Sequence, residues 1–329
     1  VVPAALAVAE ERDSTGKEFL ESVIAGYEVS SRIGTGTKVK KTVHSHGTWG
    51  TIGSAVATAK LMGFDQSQTT QAINIAASMS PANTWAPCLE GATIRNLYPG
   101  RSNFQGVLAA HLCQCGFSGI QDAPTDVYTN LLGDGFDKEA VVDGLGEPGA
   151  YRIQQNYFKF HACCRINHPT LDAVLEAVTG AEFALDDVEA VEINTPTMHP
   201  DMMGAYPENM LSAKFNVPYA VAAAIVRNRT DVTSFFPEAI SDGRIRNLAG
   251  KVNIQVNPEE SKTNVYSTLA TAFIRLKDGR SLEGNTTIVR GDYGNRVLKE
   301  ELVDKFHFLT DEIIGPKRAE SIVNAVNSL

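Results

Sequence analysis

The chain has 329 residues, 43% hydrophobic and 20% charged, the make-up of a globular protein with room for two domains and a sizeable core. Its net charge of −9 and pI near 5.3 argue against nucleic acid or an anionic membrane surface as partners, and it contains no apolar run of about 18 residues that could span a bilayer. Five cysteines (Cys88, Cys113, Cys115, Cys163 and Cys164) do not resemble a secreted disulfide framework, and adjacent Cys163 and Cys164 are poorly placed to bridge, so a reducing compartment is expected, cytoplasm or mitochondrial matrix.

The chain opens Val1-Val2-Pro3 with no initiator Met. Pro3 suits the first turn of a helix, and we expect a fragment that lacks an upstream part. Phe19, Val23 and Tyr27 recur at steps of four and predict a helix over 17–33, with Gly34 as its C-cap. Gly53, Ala55, Ala57 and Ala59 predict a small-residue helix over 50–62 that neighbours can approach closely. Asp65 and Gln68 resemble a capping box before a helix at 69–79. Another helix is expected over 104–115, ended by Gly116. Residues 133–149 hold five Gly and a Pro and predict a loop or domain junction.

The character then changes. A helix at 169–178 precedes a strand at 188–193, a helix at 213–227, and strands at 251–256 and 269–276. A Lys277-Asp278-Gly279-Arg280 turn joins the last of these to a strand at 281–289 as an antiparallel hairpin. Helices return at 297–308 and 311–327. The predicted fold is mainly α with an α+β lid: a multihelical domain (1–157 and 293–329) interrupted by a smaller α+β domain (158–292).

Three stretches, 29–64, 91–121 and 151–171, contain no Asp or Glu in a chain that carries 38 acids. They do contain Arg32, Lys38, Lys40, Lys41, His44, His46, Lys60, Arg95, Arg101, Lys159 and Arg165. If they meet in space, they form an electropositive pocket suited to a small anion with several carboxylates.

Two of these stretches carry recognisable patterns. His44-Ser45-His46-Gly47-Thr48-Trp49-Gly50-Thr51-Ile52-Gly53 resembles the His-containing, Gly-punctuated helix entrance of the MmgE/PrpD family, which includes 2-methylcitrate dehydratases, cis-aconitate decarboxylases and iminodisuccinate epimerases. The run from Lys159 through Cys163-Cys164 and His168 to Leu171-Asp172-Ala173 resembles a second family signature. Pro3-Ala4-Ala5-Leu6-Ala7, Gly26-Tyr27-Glu28-Val29 and Ala213-Lys214-Phe215-Asn216-Val217-Pro218-Tyr219 fit in the same order along the chain. The resemblance implies a helical main domain, an α+β lid, a homodimer, a small polycarboxylate substrate, and chemistry without a metal or organic cofactor. Two features depart from the pattern. Arg95 stands where many members have Lys before a Leu-His-Ala-Gly run, and an upstream run of the Asp-Asp-x-His type is absent.

The family's reactions make or break a bond beside a carboxylate, which calls for a positioned proton-transfer group and fixed positive donors. Carried over residue by residue, the resemblance makes His44 a general base or acid, with Tyr219 as its partner and Lys159 as a third catalytic residue. Arg95, His46, Cys164 and His168 are the expected substrate-binding residues. Arginine grips a carboxylate through two parallel bonds, which lysine cannot do. Each has a plain structural alternative: caps for His44, His46 and His168, a surface residue for Arg95, a snorkelling stem for Lys159, and core packing for Cys163, Cys164 and Tyr219. The expected reaction is dehydration of a 2-methylcitrate-like hydroxy acid, with decarboxylation or epimerisation of a related acid as alternatives. A metal-dependent hydrolase built on His44-x-His46 with Cys163, Cys164 and His168 is a rival, as is an inactive carboxylate-binding member. Basic neighbours and the lack of Asp/Glu ligands weigh against the metal reading.

Overall fold

The computed structural model describes residues 1–196, 198–257 and 269–329, which form a mainly α protein with a smaller α+β part. Two compact units result. The first comprises Val1–Trp85, Ile94–Asn156 and Leu298–Leu329; the second comprises Ala86–Thr93 and Tyr157–Val297.

The first unit is built from helices α1 (Val2–Glu11), α2 (Gly16–Gly36), α3 (Thr48–Leu61), α4 (Gln66–Ser78), α5 (Leu97–Gln114) and α6 (Ala123–Asn130). At its centre, α3 is buried continuously from Thr51 to Ala59, as expected of a helix surrounded by others. Small residues make that possible. A Cβ on Gly26 of α2 would stand 2.3 Å from the Gly53 carbonyl, and one on Gly106 of α5 would stand 2.6 Å from that of Thr51. The Asp65–Gln68 capping box starts α4 as expected, and a second box, Thr15 with Glu18, starts α2.

Several expected boundaries move. Gly34 does not end α2, which runs on to Gly36; Gly34 instead gives space to the Trp49 ring. Helix α5 begins at Leu97 rather than 104, with Pro99 in its first turn, where a missing N–H is tolerated. Residues 133–149 are not a plain loop. Strand β2 (Gly133–Phe136) pairs antiparallel with β1 (Thr37–Val39), and a short helix, Lys138–Val142, follows.

In the second unit, helices α7 (His168–Val178), α8 (Val217–Arg227) and α9 (Gly243–Ala249) accompany a four-stranded sheet. Its strands are β3 (Val188–Thr195), β4 (Val252–Val256), β5 (Ala270–Leu276) and β6 (Ser281–Thr286), in the order β4-β3-β5-β6. Only β3 and β4 run parallel. Alternation along β3 and β5 buries Val191, Ile193, Ala272 and Ile274 in one core with Leu171, Val174 and Val221 of the helices. A Cβ on Gly284 would lie 2.1 Å from the Ala173 carbonyl, so β6 and α7 touch through backbone. The helix expected over 213–227 is two: a single turn, Met210–Ala213, and then α8. The Asn216 side chain accepts from the Tyr219 N–H at 2.9 Å and Pro218 follows, which together make a strong start signal in the middle of the predicted helix.

The chain returns to the first unit through α10 (Lys299–Ile314) and α11 (Pro316–Asn327). They are separated at Gly315 (φ +82°) rather than near 309. Among the described residues no helix is long and apolar enough to cross a membrane.

Candidate functional site

The first unit gathers three of the predicted residues, His44, His46 and Arg95, at the entrance to α3. Gly47 adopts φ +87°, and a Cβ there would meet the Tyr98 carbonyl at 2.5 Å, so only glycine lets the His44–Gly47 turn close on the start of α5. The His44 N–H donates to the Asn83 carbonyl at 2.8 Å. Its ring is 1% exposed and lies 4.3 Å from the Trp85 ring and 4.4 Å from that of His46.

Proton positions follow from these bonds. His44 Nδ1 accepts the His46 backbone N–H at 3.2 Å, so in the neutral ring the proton sits on Nε2. Burial, and then the Arg95 charge, push the His44 pKa down to about 4. His44 is therefore a neutral N–H donor near neutral pH. Of the two expected roles, general base or acid, a base would need the Nδ1 lone pair, which the His46 N–H engages.

His46 is exposed, and its Nδ1 lies 2.5 Å from Arg95 Nη2. A guanidinium only donates, so His46 too carries its ring proton on Nε2. The His46 carbonyl accepts from Asn83 Nδ2 at 2.9 Å, and Asn83 Oδ1 accepts from Arg101 Nη2. The result is one bonded chain, Arg95–His46–Asn83–Arg101, containing two guanidinium groups and no carboxylate. Asn83, Trp85 and Tyr98 carry no signal in the sequence that would have picked them out. Arg101 appeared only as one cation in an acid-free stretch.

Three other cations of those stretches meet acids that lie outside them. Arg32 is buried against Glu28 at 2.6 Å, Lys60 meets Glu21 at 3.2 Å, and Arg165 lies 3.8 Å from Asp292.

In the second unit, the predicted residues Lys159, Cys164, His168 and Tyr219 separate into exposed and enclosed groups. Lys159 is exposed, with Nζ 3.3 Å from the Cys163 carbonyl, and Cys164 is half-buried with its N–H donating to the Lys214 carbonyl. His168 is fully buried: Nδ1 bonds the Tyr157 hydroxyl, and Nε2 lies 3.3 Å from the Cys163 carbonyl. Burial, followed by the charges of His161 and Lys159, pushes its pKa down to about 2. Both ring nitrogens are engaged within the protein. Tyr219 is likewise enclosed. It is fully buried in the core, its hydroxyl donates to the Ser234 carbonyl at 2.7 Å, and burial raises its pKa. A proton held in that way is not available to a leaving group. His161, which the sequence reading passed over, sits between Asp172 (2.8 Å) and Thr230 (2.6 Å).

Residues 1–133 match the MmgE/PrpD N-terminal domain, and residues 161–329 match the MmgE/PrpD C-terminal domain. The chain belongs to the MmgE/PrpD family. Among curated relatives of this family member is the cis-aconitate decarboxylase-like protein oryM of Aspergillus oryzae, 23% identical over all of this chain and 73% of its own length. The cis-aconitate decarboxylases of Mus musculus and Homo sapiens are also 23% identical. They align with 96% and 100% of the chain and with 66% and 70% of their own lengths.

The entrance of α3 thus brings the Arg95 guanidinium, the His46 ring and the Arg101 guanidinium together through Asn83. Among the described residues no group of three or more His, Cys, Asp or Glu is placed to hold a metal ion. The rival metal reading needs His46 as a ligand, and its Nδ1 faces the Arg95 guanidinium instead.

Proposed function

We propose that this protein is a lyase of small polycarboxylates that uses no metal or organic cofactor. The observation that supports the reading is the Arg95–His46 pair beside buried, neutral His44, joined through Asn83 to a second guanidinium, that of Arg101. Arg95 grips one substrate carboxylate, with the exposed His46 N–H beside it. His44, enclosed by Trp85 and Tyr98, holds the turn that presents His46. Lys159 is exposed in the second unit, whereas Tyr219 and His168 are buried.

Loss of water and loss of CO2 share the step that such donors assist. In dehydration a proton leaves the carbon next to a carboxylate, and charge builds on that carboxylate until hydroxide departs and the double bond forms. In decarboxylation the bond to one carboxylate breaks, CO2 departs, and the electron pair passes through the double bond to a retained carboxylate before a proton returns to carbon. Dehydration of a 2-methylcitrate-like acid is the simplest reading of the sequence. The cis-aconitate decarboxylases among the relatives favour the second reading, decarboxylation of an unsaturated tricarboxylate. A homodimer, implied by the family resemblance, belongs to the same proposal and is read by light scattering.

The test offers the purified chain cis-aconitate and 2-methylcitrate and follows CO2 release and alkene absorbance, with and without a chelator. Turnover of either acid that Arg95→Gln removes and chelator leaves intact is expected. Turnover abolished by chelator, or indifferent to Arg95→Gln, would overturn the reading.

A further inference from the structure

We infer that Arg101 is a second carboxylate-binding residue of the first unit, and that it makes the site selective for di- and tricarboxylates over monocarboxylates. This deepens the reading above and rests on it.

Arg32 shows what a structural arginine looks like here: its Nε meets the Glu28 carboxylate at 2.6 Å, and its Nη1 meets the carbonyls of Val141 and Asp143 at 3.2 and 2.6 Å. Charge and donors are both satisfied. Arg101 is only half-buried and has one acceptor, the neutral Asn83 Oδ1. Its Nε is out of contact with solvent and has no partner, and among the described residues no carboxylate lies within ion-pair distance of it. An arginine with five N–H donors, one neutral acceptor and no counter-charge is costly unless an anion completes it.

Its position gives that anion an identity. Asn83 bonds Arg101 through Oδ1 and the His46 carbonyl through Nδ2, and His46 bonds Arg95. This is the one amide orientation that satisfies both neighbours, so Asn83 acts as a rigid spacer between Arg101 and the His46–Arg95 pair. Two guanidinium groups fixed by one short bonded chain fit two carboxylates on one small molecule. A ligand with a single carboxylate engages only one of them.

The test uses NMR titration of the purified chain with butyrate, glutarate and tricarballylate, which carry one, two and three carboxylates. The wild-type protein is expected to bind the last two more tightly than butyrate. Arg101→Gln is expected to weaken glutarate and tricarballylate about 10- to 100-fold, the range for a lost charged hydrogen bond, and to leave butyrate within about twofold. Arg101→Lys, which keeps the charge without the planar fork, is expected to recover part of that loss and guards against a Gln variant that fails to fold. Arg95→Gln is expected to weaken all three acids. If Arg101→Gln alters none of them, or all equally, while Arg95→Gln still abolishes binding, the inference fails and the proposed function stands. If the wild-type chain binds no polycarboxylate, both fall.

Discussion

Each unit holds a pair of histidines in edge-to-face contact, and the two pairs do opposite things. His44 and His46 in the first unit, with ring centres 4.4 Å apart, are bonded to a backbone N–H and to an arginine. His161 and His168 in the second, 4.8 Å apart, are closed off by Asp172, Thr230, the Tyr157 hydroxyl and the Cys163 carbonyl. The Asp172 carboxylate also accepts the Arg290 N–H at 2.8 Å, so it ties the 157–168 segment to the end of the sheet. Both pairs come from stretches of sequence without acids. What separates them is whether folding delivers an acid from outside the stretch. Asp172 reaches the second pair at His161, whereas the His46 ring meets the Arg95 guanidinium.

The contrast is broken or sharpened by four substitutions. The largest effect is expected for Arg95→Gln. Turnover of the true substrate should fall roughly 100- to 1000-fold, as for removal of one oriented transition-state donor, with the urea midpoint hardly moved. A variant that unfolds instead would mean that the first cluster is structural as well.

Asp172→Ala should do the reverse. It strands buried His161 and the Arg290 N–H and should cost about 1.5–3 kcal/mol of stability per charged bond lost, read from denaturant unfolding. Unchanged stability would remove the basis for calling the second pair a structural clasp.

Tyr219→Phe should cost only about 0.5–1.5 kcal/mol, the net value of one hydrogen bond, and should leave turnover within about twofold. A 100-fold loss of turnover without loss of stability would restore its catalytic assignment.

The smallest effect concerns pH. Folded His44 stays neutral down to about pH 4, whereas the unfolded chain protonates it near 6.5. Between those values the unfolded state binds more protons, so the contribution of His44 is intact above about 6.5 and is lost as the pH falls toward 4. His44→Gln should therefore lose less stability than the wild type between pH 7 and pH 5. Parallel losses would mean that His44 is not held neutral.

Local rules account for what the sequence made legible. The Asp65–Gln68 box, the 277–280 hairpin turn and the alternation along β3 and β5 depend on neighbours within a few residues, and all three are found. The family pattern pointed to the α3 entrance for the same reason, since its glycines are fixed by the turn they permit. Gly34 misled because its role is to make room for the ring of Trp49 on another helix. Tyr219 misled because nothing in its own segment indicates that its hydroxyl meets Ser234.

The sequence by itself determined the family, the mainly α architecture and the small sheet, because apolar period, capping residues and glycine positions act over one or two turns of chain. Only the tertiary structure decided which histidine is open and which nitrogen holds its proton, since burial and hydrogen-bond partners are set by residues far away in the chain. His46 is reachable and His44 is not because Trp85 and Tyr98 close over the latter. Arg101 stands without a counter-charge while Arg32 has one for the same reason: Coulomb interactions depend on distance in space, and the spacing of acids along the chain does not report it.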